Sequence, residues 1–326
     1  MRDATTPRPR PRRRFRRRNL AILGIAVLLV PAVYVPEGHS NPAPDGVRVA
    51  ARQGQPARGR PIEVSLGSTP DEMERALILC ASEADRCSRQ DYATETRRTV
   101  EILPVDLDRR EVTNREFAEW IEERRLAHRP YLTTAEQAGQ DSTWRRPRGL
   151  GSSIEGLADH PVVCVSAFDA EAYCADRGAR LPTRDEWEYT ARGRLRRIYP
   201  WGDVWDPAKA SHARAGRIPL TEPVGSYAEG ATPLGHLDMA GSVWEWTATS
   251  APEGRRYAKG GSAADVTRAN LRSAADLSAP ADLADARIGF RCARDVQAWP
   301  KPIDTPASPG RSRGFLLPRS VAPRLR

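Results

Sequence analysis

HPVVCVSAFDAEAYCADRGARLPTRDEWEYTARG, residues 160–193, decides the architecture, because it holds two complete helix-start signals and two helix stops. Ser166 stands three residues before Asp169, and Thr183 three before Glu186. In such a box the hydroxyl accepts from an orphan amide of the first turn while the acid reaches back to the cap amide. Gly178 and Gly193 close the two helices, glycine being suited to a left-handed cap. Pro182 forces an extended approach to the second helix, and Trp187 and Tyr189 give its head a large apolar area to bury. The same signal recurs at Thr69–Glu72, with Pro70 at the first helical position, and at Thr113–Glu116. Strand-like runs, ILPVDL (102–107) and HPVVCV (160–165), precede two of these helices. Past residue 193, Gly, Pro and Trp are scattered with little period, which implies many turns and few regular elements. The pattern predicts one compact α+β domain with much irregular chain and no internal repeat.

Outward from that domain the composition changes. The total charge is +9, but residues 1–18 carry +8 and residues 296–326 carry +5, which leaves −4 on residues 19–295. A mildly acidic folded part argues against a nucleic-acid-binding face. Residues 20–35, LAILGIAVLLVPAVYV, form an uninterrupted apolar run directly after nine Arg. That arrangement reads as an export signal, with cleavage after Ser40, or as a membrane anchor, and both place residue 41 onward outside the cytoplasm. The expected divisions are 1–40, signal or anchor; 41–62, Pro/Gly-rich linker; 63–295, the domain; and 296–326, a basic disordered tail. Five cysteines outside the cytoplasm invite disulfides, with at least one thiol left over, and their spacing does not match a zinc site. Cys80 and Cys87 either bridge locally after the first helix or stay as a pair of thiols. Cys164, in an apolar run, reads as a buried thiol rather than a nucleophile.

Four segments in order, DRREVTNREFAEW (108–120), residues 160–193 with YPWGD (199–203), LGHLDMAGSVWEW (234–246), and KGGS (259–262) with IGFRC (288–292), resemble the formylglycine-generating enzyme, or sulfatase-modifying factor, family. The resemblance spans roughly residues 64–295 and implies a variant of the C-type lectin fold. It also implies a structural disulfide between Cys174 and Cys292; the family's second bridge is absent, since Thr190 and Ala275 stand at its positions. A calcium site carries over as Asp238, the carbonyls of Gly241 and Val243, and Glu245. Independently of the family, two carboxylates around a glycine turn are hard oxygen ligands of the kind calcium takes. The family's other calcium site is not expected, because Ser211 replaces an Asn ligand and the acidic loop after it is missing.

The family's chemistry rests on two cysteines after the GGS motif that bind copper(I) and oxidise a substrate cysteine with oxygen. Here Asp265 and Asn270 stand at those positions. Copper(I) is soft and needs thiolate, so neither residue replaces the ligand, and copper is not expected. The five histidines, at 39, 128, 160, 212 and 236, show no paired spacing with a nearby acid, and no phosphate loop, nucleophile elbow or H-E-x-x-H occurs. Three readings follow. The chain is an exported recognition module that uses the groove near Asp265 and Asn270 for a peptide, glycan or protein; or a divergent oxidoreductase or other protein-modifying enzyme; or a structural accessory protein of the cell envelope.

Overall fold

The computed structural model describes residues 59–83, 87–127, 132–213 and 221–298. The signal or anchor, most of the linker and almost all of the basic tail therefore lie outside the described residues. Among the described residues no helix is long and apolar enough to cross a membrane.

The chain enters through β1 (Ile62–Leu66), continues in α1 (Pro70–Glu83), and returns in β2 (Arg98–Ile102), which pairs antiparallel with β1. Next comes β3 (Val105–Leu107), which pairs antiparallel with the last strand of the domain. Helices α2 (Asn114–Leu126), α3 (Thr134–Gln137), α4 (Ala167–Asp176) and α5 (Arg184–Arg192) follow. The C-terminal third supplies β4 (Trp244–Ala251), β5 (Arg255–Lys259), β6 (Asp276–Pro280) and β7 (Ile288–Gly289), in the order β6-β5-β4-β7 with β7 parallel to β4. β8 (Ala293–Asp295) closes the domain against β3.

Every capping box read from the sequence forms. The amides of Glu72, Glu116, Asp169 and Glu186 donate to the hydroxyls of Thr69, Thr113, Ser166 and Thr183 at 3.1–3.2 Å. The acids accept from the cap amides at 2.7–2.8 Å. Gly178 and Gly193 take φ of 67° and 60°, the left-handed region in which only glycine is unstrained. ILPVDL divides at Pro104 between β2 and β3, as a residue without an amide proton would require.

HPVVCV is not a strand. Pro161 bridges Thr113 in isolation, the Val162 amide donates to the Val112 carbonyl, and the Cys164 amide donates to the Asp285 carbonyl. Cys164 itself has φ 57°, which breaks the pleat. The run is apolar because it threads the core, with its backbone satisfied by different segments rather than by one neighbour.

The core is aromatic. Phe117 of α2 meets Trp120, Trp144, Tyr173 and Phe290 at centroid distances of 5.0–6.3 Å, and Trp246 of β4 is buried with them. Burying a side chain the size of Phe117 stabilises by about 1.5–3 kcal/mol before neighbours are counted. One disulfide, Cys174–Cys292 between α4 and the segment before β8, lies in this core; a second, Cys80–Cys87 at the end of α1, belongs to a separate cluster with Ala76, Tyr92 and Ala269. Cys164 is the free cysteine, fully buried.

Charge is buried as well. The ammonium of Lys259, fully enclosed at the end of β5, donates to the Ala274 carbonyl at 2.9 Å and Asp276 at 3.0 Å, and lies 3.4 Å from Glu188 of α5. Glu188 also meets Arg98 and Arg192 and accepts from the Gly67 amide, while Asp276 pairs with Arg184. This network joins the central sheet to α5 and to the β1–β2 pair.

Candidate functional site

The segment that follows β5 builds the first site. Gly260 and Gly261 turn the chain with φ of 101° and 76°, and a Cβ on Gly261 would sit 2.5 Å from Leu271. Ser262 then faces back on Asp265: its amide and its hydroxyl donate to Asp265 Oδ2 at 2.8 and 2.6 Å. Trp244 Nε1, from the start of β4, donates to the same oxygen at 2.9 Å. Asn270 lies in a short 3-10 turn, Arg268–Leu271, and its Nδ2 donates to Asp265 Oδ1 at 2.6 Å. The two residues singled out in sequence are thus brought together, five positions apart, as a hydrogen-bonded pair.

Chemically this pair is closed. Four donors converge on one carboxylate, near its capacity as an acceptor. Asn270 adds no second ionisable group. The free thiol among the described residues, Cys164, is enclosed beside the Pro147 carbonyl; burial, with Asp285 behind it, pushes it up to about 12. It is therefore a neutral thiol at ordinary pH, and thiolate is the form that binds metal. The turn carrying Asn270 is anchored from outside by Glu83 of α1, which accepts from the Arg268 amide at 2.9 Å and the Thr267 hydroxyl at 3.3 Å.

The second site is the turn before β4. Asp238, Gly241 and Ser242 all take positive φ, 57°, 81° and 60°. A Cβ at Gly241 would lie 1.9 Å from the Ser211 carbonyl, so only glycine fits there. Asp238 Oδ2 accepts from the Gly225 amide at 2.5 Å. Glu245, fully buried, accepts from Trp187 Nε1 at 2.7 Å and from Arg291 Nε and Nη2 at 2.7 Å each. Of the four residues expected to form a calcium site, Asp238, Gly241 and Val243 share one turn, whereas the Glu245 carboxylate is engaged by a guanidinium.

Arg291 does not balance its surroundings. Glu111, also fully buried, is 3.9 Å from Arg291, and its oxygens lie near the Ser242 side chain without a hydrogen bond of good geometry; one oxygen of Glu222 is likewise buried without one. Burial, then the neighbouring Asp238 charge, holds Glu111 well above the usual carboxylate range. Burial raises Asp238 too, with the Gly225 amide and Arg291 opposing it. A buried surplus of negative charge fits an added cation or an added proton. Among the described residues no three His, Cys, Asp or Glu side chains cluster as a metal centre, so a cation here would rely on main-chain carbonyls.

Sequence reading did not find Arg291 as the partner of Glu245, or Lys259 as the partner of Glu188. Both cations sit inside recognisable motifs, GFRC and KGGS, but their partners are 46 and 71 residues away. His160, His212 and His236 are each engaged locally, with the Thr221 hydroxyl, the Ala210 carbonyl, and the Leu107 carbonyl beside Thr232. His39 and His128 lie outside the described residues.

Comparison with known proteins places this geometry in context. A model of the sulfatase-modifying factor enzyme 1-like domain matches residues 68–296. The chain is 32% identical over 243 residues to the inactive C-alpha-formylglycine-generating enzyme 2 of Bos taurus, covering 60% of this chain and 79% of that protein. It is 33% identical over 261 residues to the formylglycine-generating enzyme of Streptomyces coelicolor, covering 61% and 80% respectively. Among solved structures, Treponema denticola variable protein 1 superposes with a TM-score of 0.49 at 16% identity, over 72% of this chain and 92% of that one.

Proposed function

The chain belongs to the sulfatase-modifying factor enzyme family, and on that premise we propose that it does not make formylglycine but acts outside the cytoplasm as a recognition module. One observation carries the reading: at the two positions where the family binds copper(I), Asp265 and Asn270 are hydrogen-bonded to each other, and Asp265 is capped by Ser262 and Trp244. Hard oxygens and an amide, already satisfied, do not hold a soft ion or exchange disulfides with a substrate cysteine. A single committed carboxylate also lacks the paired ionisable groups that a replacement acid–base enzyme would need. The surface around this pair, with Val266 exposed beside it, is the proposed contact for a peptide, glycan or envelope protein. Two disulfides are compatible with an oxidising compartment.

Calcium is a second part of the proposal. Asp238 with the carbonyls of Gly241 and Val243 would hold it, and Glu245 has room for one further contact beyond its three hydrogen bonds. Bound there, the ion would neutralise the carboxylate surplus and fix the turn that leads into β4 and Trp244.

The test is incubation of the purified domain with copper, oxygen and a cysteine-bearing sulfatase peptide, followed by mass spectrometry for aldehyde formation. No conversion is expected, and robust turnover would overturn the proposal. As a converse, the double variant Asp265→Cys, Asn270→Cys is expected to gain copper(I) binding that the wild type lacks.

A further inference from the structure

A cavity of about 330 Å³ lies between α1 and the loop 198–205, closed in part by Arg272 and Ala274, and neither Asp265 nor Asn270 lines it. One wall is aromatic and rigid. Tyr199 stacks on Trp201 at 5.3 Å with ring planes 9° apart, and Trp205 closes edge-on at 5.2 Å from Tyr199 and 5.0 Å from His212. The facing wall is the Ala76–Leu79 side of α1, a helix pinned by the Cys80–Cys87 disulfide and by Glu83. The space is therefore a built concavity between two fixed elements, of a size that takes a small molecule.

Its charged groups are committed, with one exception. Arg192 donates to the Arg196, Arg197 and Gly67 carbonyls and pairs with Glu188; Arg272 donates to Ser68 and Ala269 and pairs with Glu95. Of the acids, Glu72 caps α1 and Asp203 accepts from the Ile198 amide at 3.0 Å. Arg75, exposed on α1 and lining the cavity, has no hydrogen bond or ion pair among the described residues. Val204, 79% exposed, adds an apolar lip. An apolar, aromatic-walled hollow with one uncommitted guanidinium at its margin selects a particular chemistry. We propose that this cavity binds a small amphipathic acid, its apolar or aromatic body between Leu79 and the Tyr199–Trp205 wall and its carboxylate on Arg75.

Calorimetric titration of the full chain with 3-phenylpropionate, and with 3-phenylpropanamide as the uncharged control, tests this. The acid is expected to bind saturably and about fivefold tighter than the amide, the scale of one partly exposed charge pair. Arg75→Gln is expected to remove the preference for the acid while leaving the thermal midpoint unchanged. Leu79→Trp, which fills the hollow, is expected to abolish binding of both probes. No saturable binding by the wild type, equal affinity for acid and amide, or a preference that survives Arg75→Gln would each overturn the proposal. If Leu79→Trp retains both affinities the site is elsewhere and the proposal also fails; if that variant is unstable, the Arg75→Gln result decides.

Discussion

Replacing Lys259 with Met removes one charge from the interior and leaves two carboxylates behind. The ammonium is fully enclosed and serves Asp276, Glu188 and the Ala274 carbonyl. Glu188 keeps Arg98, Arg192 and the Gly67 amide, and Asp276 keeps Arg184, so neither is stripped bare. Breaking a buried pair by deleting one partner costs about 3–5 kcal/mol. For a domain of this size that corresponds to a fall of about 6–20 °C in Tm. The pH dependence supplies the sharper check. Burial alone would raise both carboxylates, but Lys259 with Arg98 and Arg192 outweighs it at Glu188, and Lys259 with Arg184 outweighs it at Asp276, so both lie below their ordinary values. A depressed carboxylate contributes stability that is complete above its unfolded pKa, near 4, and is lost as pH falls through the folded value. In Lys259→Met the depression shrinks, the carboxylates take up protons at higher pH, and a protonated acid does not need the missing ammonium. The deficit relative to wild type should therefore be level down to about pH 5 and narrow below about pH 4, where the variant's carboxylates take up protons first, measured by urea unfolding at pH 7 and about pH 3. A deficit below about 1 kcal/mol at pH 7, or one of equal size at both pH values, would refute the reasoning.

Non-reducing peptide mapping should recover Cys174 and Cys292 as one cross-linked species, and Cys174→Ser should lose about 4–5 kcal/mol, since the closed loop spans 118 residues. Chelation should lower the Tm of the wild type and much less that of Asp238→Asn; identical melting curves with and without chelator would remove calcium from the account. A reporter fused after residue 62 should be active only outside the cytoplasmic membrane, and activity inside would overturn the proposed topology.

What was legible in the sequence is what local chemistry determines. A capping box needs a hydroxyl and an acid three residues apart, and both lie within one turn, so all four could be located to the residue. Asp265 and Asn270 were singled out through the resemblance, which places the family's two cysteines there; that they hydrogen-bond to each other is a finding of the structure. HPVVCV was misread because an apolar run reports burial, not the identity of the backbone that will pair with it. Its amides go to Val112 and Asp285, and no pattern within the run encodes partners that distant. Arg291 and Lys259 were missed similarly, since a cation looks the same in sequence whether water or a distant carboxylate surrounds it. The cavity beside α1 is assembled from residues between 68 and 274, and no expectation drawn from the sequence pointed to it.

The pairing of β3 with β8 has a consequence for synthesis. Val105–Leu107 waits for Ala293–Asp295, and the Gly59 amide reaches the Val296 carbonyl at 3.3 Å. Phe290, Arg291 and Cys292 arrive in the same late stretch, so a nascent chain halted before residue 288 holds Phe117 without one of its ring partners, Glu245 without its guanidinium and Cys174 without its bond. The aromatic core therefore stays open until nearly the whole domain has been made, and helpers that shield apolar surface should be needed until the stretch from residue 288 onward has been added.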